Sequence, residues 1–361
     1  MVGIGLVGFG YWGPNLARNF SATLGCRLVA VCDQSPARLQ AVTRQFPHCR
    51  TTSAYQSLLD DPEIQAIAIA TPAPTHFLLA RQALLSGKDV LVEKPMTTTA
   101  AHAEELIELA DRLERILAVD HTFLYTDAVR KIKELLDAGE IGDLLYLDSV
   151  RTNLGLFQRD YNVIWDLAPH ELSIVMHLVP EGPISVQALG ACHAGNGIEN
   201  LAYVHLEFPG NLIAHFHLNW LAPVKIRQTI IAGSRKMIVY DDMDRSDKIK
   251  IYDKGIAVNA SADGLDELYK ASINYRSGDM VAPHLNNSEA LAVETAHFVH
   301  CVQTRQRPLV DGIDGLRIVR LLEAADESLR NGGQRVSLRP KVFHPSPAVS
   351  SEPGSAAQRA A

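Results

Sequence analysis

Six residues near the start of the chain, Gly8-Phe9-Gly10-Tyr11-Trp12-Gly13, constrain the fold more than any other feature. They spell G-x-G-x-x-G directly after the apolar run Val2 to Val7 and just before a helical pattern reaching Phe20. The next apolar run, Arg27 to Cys32, ends at Asp33, twenty positions after Gly13. Strand, glycine turn, helix, strand and acid in that register make a dinucleotide-binding βαβ unit. Gly8 permits the tight turn, Gly10 lets a diphosphate approach the backbone, and Gly13 lets the helix pack close to the sheet. The helix start offers free N–H groups and a positive dipole end to phosphates. Phe9, Tyr11 and Trp12, carried on the same turn, are taken as cofactor contacts. Asp33 is expected to accept hydrogen bonds from the adenosine ribose hydroxyls. A carboxylate there repels a 2′-phosphate, so NAD is expected rather than NADP, although Arg38 lies five positions on, within reach of a phosphate.

The pattern continues with short apolar runs at Ala66 to Ala70, Asp89 to Val92 and Ile116 to Val119. Helical patterns lie between them, at Thr75 to Ser86 and Thr99 to Arg115. Strands apolar throughout, alternating with helices, predict a parallel sheet covered on both faces, with right-handed crossovers giving a doubly wound Rossmann domain over residues 1–121. After a helical stretch from Tyr125 to Ala138 the chain changes character. Tyr203 to Phe208 and Leu212 to Trp220 flank Pro-Gly-Asn, and Ile226 to Ala232 and Lys236 to Tyr240 flank Gly-Ser-Arg. Two hairpins predict a largely antiparallel sheet. One helix, Val163 to Leu178, interrupts the strands, and Ser288 to Gln303 and Gly312 to Leu329 read as amphipathic helices. The fold class is therefore α/β, with an N-terminal doubly wound domain and a C-terminal α+β domain over 122–340 for substrate binding and oligomerisation. Its last helix is a candidate to pack back on the first domain. Residues 345–361, rich in Ser, Ala and Pro, read as a disordered tail.

Composition excludes several classes of function. The 361 residues are 47% apolar and 21% charged, with a formal net charge of −7, which suits a two-domain globular chain. No basic run suggests nucleic acid or an anionic membrane as partner. The opening MVGIGLVGFG lacks a basic n-region and an A-x-A site, so a buried strand is expected there rather than a secretory signal. Five scattered cysteines without C-x-x-C spacing suit reduced thiols in a cytoplasm.

Two further segments fall at strand ends. Thr71-Pro72-Ala73-Pro74-Thr75-His76 follows one apolar run and Glu93-Lys94-Pro95 another. In a doubly wound sheet those are the carboxyl ends of strands, where ligands bind. Pro95 forces an abrupt turn and is a candidate cis bond. A lysine held there can donate to a substrate oxygen and help lower a hydroxyl pKa; the plainer alternative is a solvated lysine paired with Glu93. On the inserted helix, Asp166 and His170 are four apart and so share a face. A carboxylate beside an imidazole sets its tautomer, and an imidazole near neutrality takes a proton from a carbinol; the alternative is a capping Asp and a structural His. Arg159 and Tyr161 just before this helix are candidate substrate contacts.

GFGYWG with Asp33, TPAPTH and GKDVLVEKP together resemble the Gfo/Idh/MocA family of oxidoreductases over about residues 2–340. The resemblance implies a substrate-binding and catalytic role for Lys94. It sets Thr71, Pro72 and His76 near the nicotinamide ribose and makes His170 a general acid/base beside Asp166. Three positions depart from the family pattern: Asp89 where a His is common, Pro169 where a Gly is common, and Ser173 where a second Asp is common. The last puts one substrate hydroxyl contact in doubt. GYWGPNLARNF with WDLAPHELSI is similar, more loosely, to members acting on nucleotide-activated sugars, as in oxidation at C3 of a UDP-N-acetylglucosamine-type substrate. The alternatives are a free polyol or sugar dehydrogenase, a biliverdin- or dihydrodiol-type reductase that would not need Asp166 and His170, and a non-catalytic NAD(H)-binding regulator. A homodimer or homotetramer through the second sheet is expected. His205, His215 and His217 share one hairpin but no Cys or carboxylate completes a metal set, so no metal is expected. Asp241 to Asp244 reads as a solvated turn, and Glu289 and Glu294 as acids suited to a helix start.

Overall fold

The computed structural model describes residues 1–155, 157–158, 160–195, 197–258, 273–286 and 288–338. Arg159 and the 345–361 tail lie outside the described residues. The first half runs β1 (Val2–Val7), α1 (Gly13–Ala22), β2 (Cys26–Cys32), α2 (Pro36–Gln45), β3 (Arg50–Thr52), α3 (Gln56–Leu59), β4 (Ala66–Ile69), α4 (His76–Leu85), β5 (Asp89–Glu93), α5 (Ala100–Arg112), β6 (Leu117–Asp120) and α6 (Asp127–Asp137). The second runs β7 (Leu144–Leu154), α7 (Val163–Leu178), β8 (Ser185–Ala191), β9 (Leu201–Glu207), β10 (Ile213–Asn219), β11 (Leu221–Gly233), β12 (Met237–Asp241), β13 (Ile249–Val258), β14 (Ile273–Val281), α8 (Ala290–Thr304), α9 (Gly312–Arg330) and β15 (Val336–Ser337).

The first sheet is parallel in the order β3-β2-β1-β4-β5-β6. Every residue of β1, β4 and β6 is buried, as a sheet covered on both faces requires. The order reverses between β1 and β4, so the crevice beyond their carboxyl ends is the topological switch point. The fingerprint turn leaves β1 there, and the Thr71–His76 segment leaves β4. The helical run expected from Tyr125 is split: a 3-10 turn spans Thr122–Tyr125, and Thr126 caps α6 by accepting from Val129 N. Such a cap is worth about 1 kcal/mol.

The second sheet has the order β14-β13-β12-β11-β7-β10-β9-β8-β15. All its neighbours pair antiparallel except β7 and β10, which are parallel. Along β9 and β10 the even-numbered residues Val204, Leu206, Ala214, Phe216 and Leu218 are buried against α7 and its surroundings. Tyr203, His205, His215 and His217 occupy the opposite face, with the Tyr203 ring stacked on His217 at 4.7 Å. β11 departs from the ladder near its start: Leu221 pairs with Leu154 and Ile226 with Thr152, so residues 222–225 bulge out. The two domains are stitched by the C-terminal helices. α8 packs on α1, with Phe20 edge-on to Phe298 at 6.3 Å, and α9 touches α5, β6, α7 and β8.

Candidate active site

The fingerprint turn has the geometry a diphosphate needs. Gly8 sits at φ +92°, a left-handed conformation, and a Cβ there would lie 2.5 Å from Ala70 O. A Cβ on Gly13 would lie 2.2 Å from Gly8 O, so the protein itself demands that glycine. Gly10 is different: its Cβ would meet nothing nearer than the Arg38 guanidinium at 3.8 Å. Only something arriving from outside gives a reason for glycine there. α1 begins without any side-chain cap; Pro14 has no N–H and Asn15 N donates to Trp12 O at 2.9 Å, so Gly13 N is the helix-start group left for an anion. Asp33 is buried at the end of β2, where its carboxylate accepts from Phe9 N at 2.7 Å and Ser35 N at 2.8 Å. Arg38 reaches the same carboxylate at 3.4 Å. These residues fit a dinucleotide with its adenosine ribose at Asp33.

Two expected cofactor contacts need correction. Phe9 is buried, and its ring packs edge-on against Phe46 at 6.4 Å while its N–H is held by Asp33. Its ring and its N–H are both engaged within the protein. Tyr11, 89% exposed, is the free aromatic of the loop. His76 is 1% exposed, and its ring nitrogens lie 2.9 Å from Pro95 O and 2.8 Å from Thr71 O. Burial holds this ring below its ordinary pKa, so it is neutral and donates to one carbonyl at a time. His76 thus ties two strand-end turns together rather than facing a ribose. Thr71 hydrogen-bonds Thr75 at 2.6 Å, and the Thr75 hydroxyl goes on to Pro72 O.

Lys94 follows β5 and precedes a cis peptide bond to Pro95. Its side chain is 17% exposed and its ammonium donates to the Asp166 carbonyl at 2.9 Å, with the Asp166 carboxylate at 3.6 Å. The solvated-lysine alternative is therefore ruled out. Asn162 caps α7 by accepting from Ile164 and Trp165 N, which sets Asp166 in the first turn facing Lys94. Pro169 stands inside the helix rather than at its start, because the helix begins at Val163.

The expected Asp166–His170 contact is not formed. The Asp166 carboxylate instead accepts from Trp220 Nε1 at 2.9 Å. The indole N–H and the ammonium both outcompete a neutral imidazole for one carboxylate. His170 Nδ1 is buried with no partner among the described residues. The ring lies edge-on to Phe123, centroids 5.1 Å apart. Burial, then the positive charges of Lys94 and Arg151, push His170 well below its ordinary pKa, so it rests neutral. Ser173 turns its hydroxyl back onto the His170 carbonyl at 2.8 Å and offers nothing to a ligand. Asp89 sits at the opposite end of β5, holding Arg305 at 2.6 Å.

Several residues around this centre escaped sequence reading. Asp120 and His121 end β6 beside Glu93, its register partner on β5. The strand-end logic that singled out Lys94 applies to them equally. Asp120 accepts from Trp12 Nε1 at 2.9 Å, tying the fingerprint to the centre. His121 is buried with neither nitrogen partnered among the described residues, and burial pushes it down to about 4. Glu294 is corrected from a helix-start acid to a buried one beside Asp120 and Thr122, and burial followed by the Asp120 charge raises its pKa well above the ordinary value. Glu93 is raised in the same way. Beneath His170, Arg151 pairs with Glu171, which also accepts from Ser149. Asp242 is corrected too: it lies mostly buried, accepting from Arg227 at 3.1 Å and Lys248 at 3.0 Å. No sequence signal marks Trp220, Arg151 or Asp242, because strand pairing alone brings them here.

A cleft of about 340 Å³ opens beside Lys94, lined by Ala73, Pro74, Pro95, Tyr161, Trp165 and Asp326 among others. Tyr161 lines this cleft, and burial followed by the nearby Asp166 pushes its hydroxyl up to about 12. No His, Cys, Asp and Glu grouping among the described residues has the arrangement of a metal site.

Comparison with known proteins bears on this geometry. The Gfo/Idh/MocA model for the oxidoreductase family with an NAD-binding Rossmann fold matches residues 2–121. The Gfo/Idh/MocA C-terminal domain model matches residues 129–239. The chain is 31% identical over 253 residues to the uncharacterized oxidoreductase YdgJ of Escherichia coli K12, covering 67% of this chain and 71% of that one. It is 26% identical over 319 residues to a UDP-N-acetylglucosamine 3-dehydrogenase of Acidithiobacillus ferrooxidans, covering 87% and 93%. The solved structure of the UDP-N-acetylglucosamine 3-dehydrogenase GnnA from that organism superposes with a TM-score of 0.77 at 23% identity, over 92% of this chain and 99% of that one, a shared fold.

Proposed function

The chain belongs to the Gfo/Idh/MocA family of NAD-binding oxidoreductases, and from that premise we propose that it oxidises a ring hydroxyl of a nucleotide-activated sugar, at C3 of a UDP-N-acetylglucosamine-type substrate, with NAD. The observation that carries the reading is the convergence of Lys94, Asp166 and the neutral His170, whose buried Nδ1 has no partner among the described residues. The 3-dehydrogenase relative aligned over 87% of this chain supports the substrate class. Asp33, buried and bonded at the ribose position, supports NAD over its phosphorylated form.

When bound, the cofactor supplies the hydride acceptor. Lys94 donates to the reacting oxygen and stabilises negative charge developing there. His170, neutral at rest, takes the hydroxyl proton. Asp166, held by Trp220, positions the Lys94 ammonium rather than the imidazole. Tyr161 borders the sugar. We place the enzyme in the cytoplasm, as a homo-oligomer joined through the outer face of the second sheet, where Leu189, Tyr203 and Ile213 are exposed. No helix among the described residues is long and apolar enough to cross a membrane.

Replacing Lys94 by Met or His170 by Ala should cut turnover of a UDP-sugar by about 100-fold or more while NAD affinity stays within about threefold. Near-normal turnover in either variant would remove that residue from the chemistry. Turnover of free inositol or glucose with silence on a UDP-sugar panel would refute the substrate class.

A further inference from the structure

One aromatic ring away from His170 lies a group of cations that the chemistry above leaves unused. Phe123, edge-on to His170, carries the Arg151 guanidinium 4.6 Å from its centroid and that of Arg227 5.7 Å from it. Arg227 and Arg151 are register partners on β11 and β7, so both project from the face of the sheet that α7 covers. Lys225 stands two residues before Arg227, in the bulge that residues 222–225 make in β11. The bulge is fastened by Thr152 Oγ1 donating to Val224 O at 3.3 Å. Lys225 is exposed, and the Arg227 side chain is 31% exposed, so a ligand at the centre can reach both.

The charges here do not balance. Glu171 answers Arg151, and Asp242 is shared by Arg227 and Lys248. Among the described residues, no carboxylate stands within salt-bridge distance of Lys225. Four cations thus face two carboxylates. Arg227, the nearest like charge, depresses the Lys225 ammonium below its ordinary value, a cost that an arriving anion would relieve. The cleft beside Lys94 has the opposite sign, with Asp160, Glu199 and Asp326 in its wall. A sugar's hydroxyls suit that wall and a diphosphate does not. The positive side of the centre is the bulge.

We propose that Lys225 and Arg227 form the subsite for the diphosphate of the nucleotide sugar, holding it beyond Phe123 while the sugar ring lies against Lys94 and His170. Arg227 supplies planar, forked donors and Lys225 a mobile point charge, the two standard ways of holding phosphate oxygens. Asp242 positions Arg227 and keeps it from collapsing onto the open bulge. The bulge sets specificity: the same centre on an unbulged β11 would have no cation at this place. The inference rests on the nucleotide-sugar reading, yet it concerns a separate group of residues and can fail alone.

The test uses the full chain saturated with NAD, so that the fingerprint cradle is already filled. Binding of UDP and of inorganic pyrophosphate is followed by calorimetry, and UDP-sugar turnover by NADH absorbance, for wild type, Lys225→Ala and Lys225→Glu. Lys225 is exposed and forms no salt bridge among the described residues, so neither change disturbs the core. We expect Lys225→Ala to weaken UDP and pyrophosphate binding and raise KM for the UDP-sugar about tenfold, and Lys225→Glu to do more, with kcat within about twofold. The wild-type affinity should also fall with added salt. Turnover of a UDP-sugar with KM unchanged in both variants would overturn the subsite and leave the substrate class standing. Pyrophosphate binding lost in Lys225→Glu by an enzyme inert on every UDP-sugar would uphold an anion subsite and overturn the nucleotide-sugar reading. Absence of UDP and pyrophosphate binding to wild type would overturn the subsite outright.

Discussion

At the scale of single residues, the fingerprint separates two kinds of glycine. Gly13 is required by the fold, since a Cβ would sit 2.2 Å from the Gly8 carbonyl; Gly10 faces open space. We expect Gly13→Ala to cost about 1–3 kcal/mol or more of stability in a denaturant titration, and Gly10→Ala to leave stability intact while weakening NAD about tenfold or more. Equal stability losses would show that Gly10 serves the fold. The base gives a second prediction. His170 lies well below the ordinary 6.5, so its neutral form persists as pH falls past that value. Activity requiring the neutral ring should decline only below 6.5 in a kcat/KM profile, and an acid limb above 6.5 would contradict this. The fingerprint, Asp33 and Lys94 were legible in the sequence because each follows a strand by a few residues. The partner of Asp166 was not. Helical spacing offered His170, but Trp220, fifty-four positions away, reaches the carboxylate by the pairing of distant strands.

At the scale of elements, α8 sets a buried acid against the end of β6. Glu294 holds its proton in the folded chain, whereas the unfolded chain releases it above about its ordinary value of 4.5. A folded pKa raised above the unfolded one gives stability that is present at low pH and lost as pH rises. Glu294→Gln carries no proton to lose, so its thermal midpoint should gain on wild type from pH 5 to pH 8; a constant difference would show that Glu294 stays ionised. The histidines work oppositely. His76, His121 and His170 are neutral when folded, so acid below about 6.5 protonates the unfolded chain first and lowers stability. Helices were read closely where caps and periodicity agree, as for Val163 to Leu178. The helical pattern from Tyr125 to Ala138 runs unbroken in the sequence, yet Thr126 is a cap that separates a 3-10 turn from α6. Hairpins were legible because their turns are local. The parallel pairing of β7 with β10 joins strands far apart in sequence and leaves no local trace.

At the scale of the whole molecule, two sheets and two returning helices bring Gly10, Lys94, His170 and Arg227 around one centre from four segments of chain. The outer face of the second sheet is unclaimed by this arrangement. It carries the row Leu189, Tyr203 and His217, register neighbours across β8, β9 and β10. We expect sedimentation of the wild type to give a dimer or larger, and Tyr203→Lys to shift it toward monomer; a wild-type monomer would refute assembly through this face. The central claim, that this centre moves a hydride from C3 of a UDP-N-acetylglucosamine-type sugar to NAD, has one direct measurement. The protein is mixed with NAD and UDP-N-acetylglucosamine carrying deuterium at C3, and the reduced cofactor is weighed by mass spectrometry. Deuterium in the reduced cofactor, together with a 3-keto product, is the expected result. Reduced cofactor without deuterium would place the oxidation at another carbon, and no reduced cofactor at all would contradict the claim.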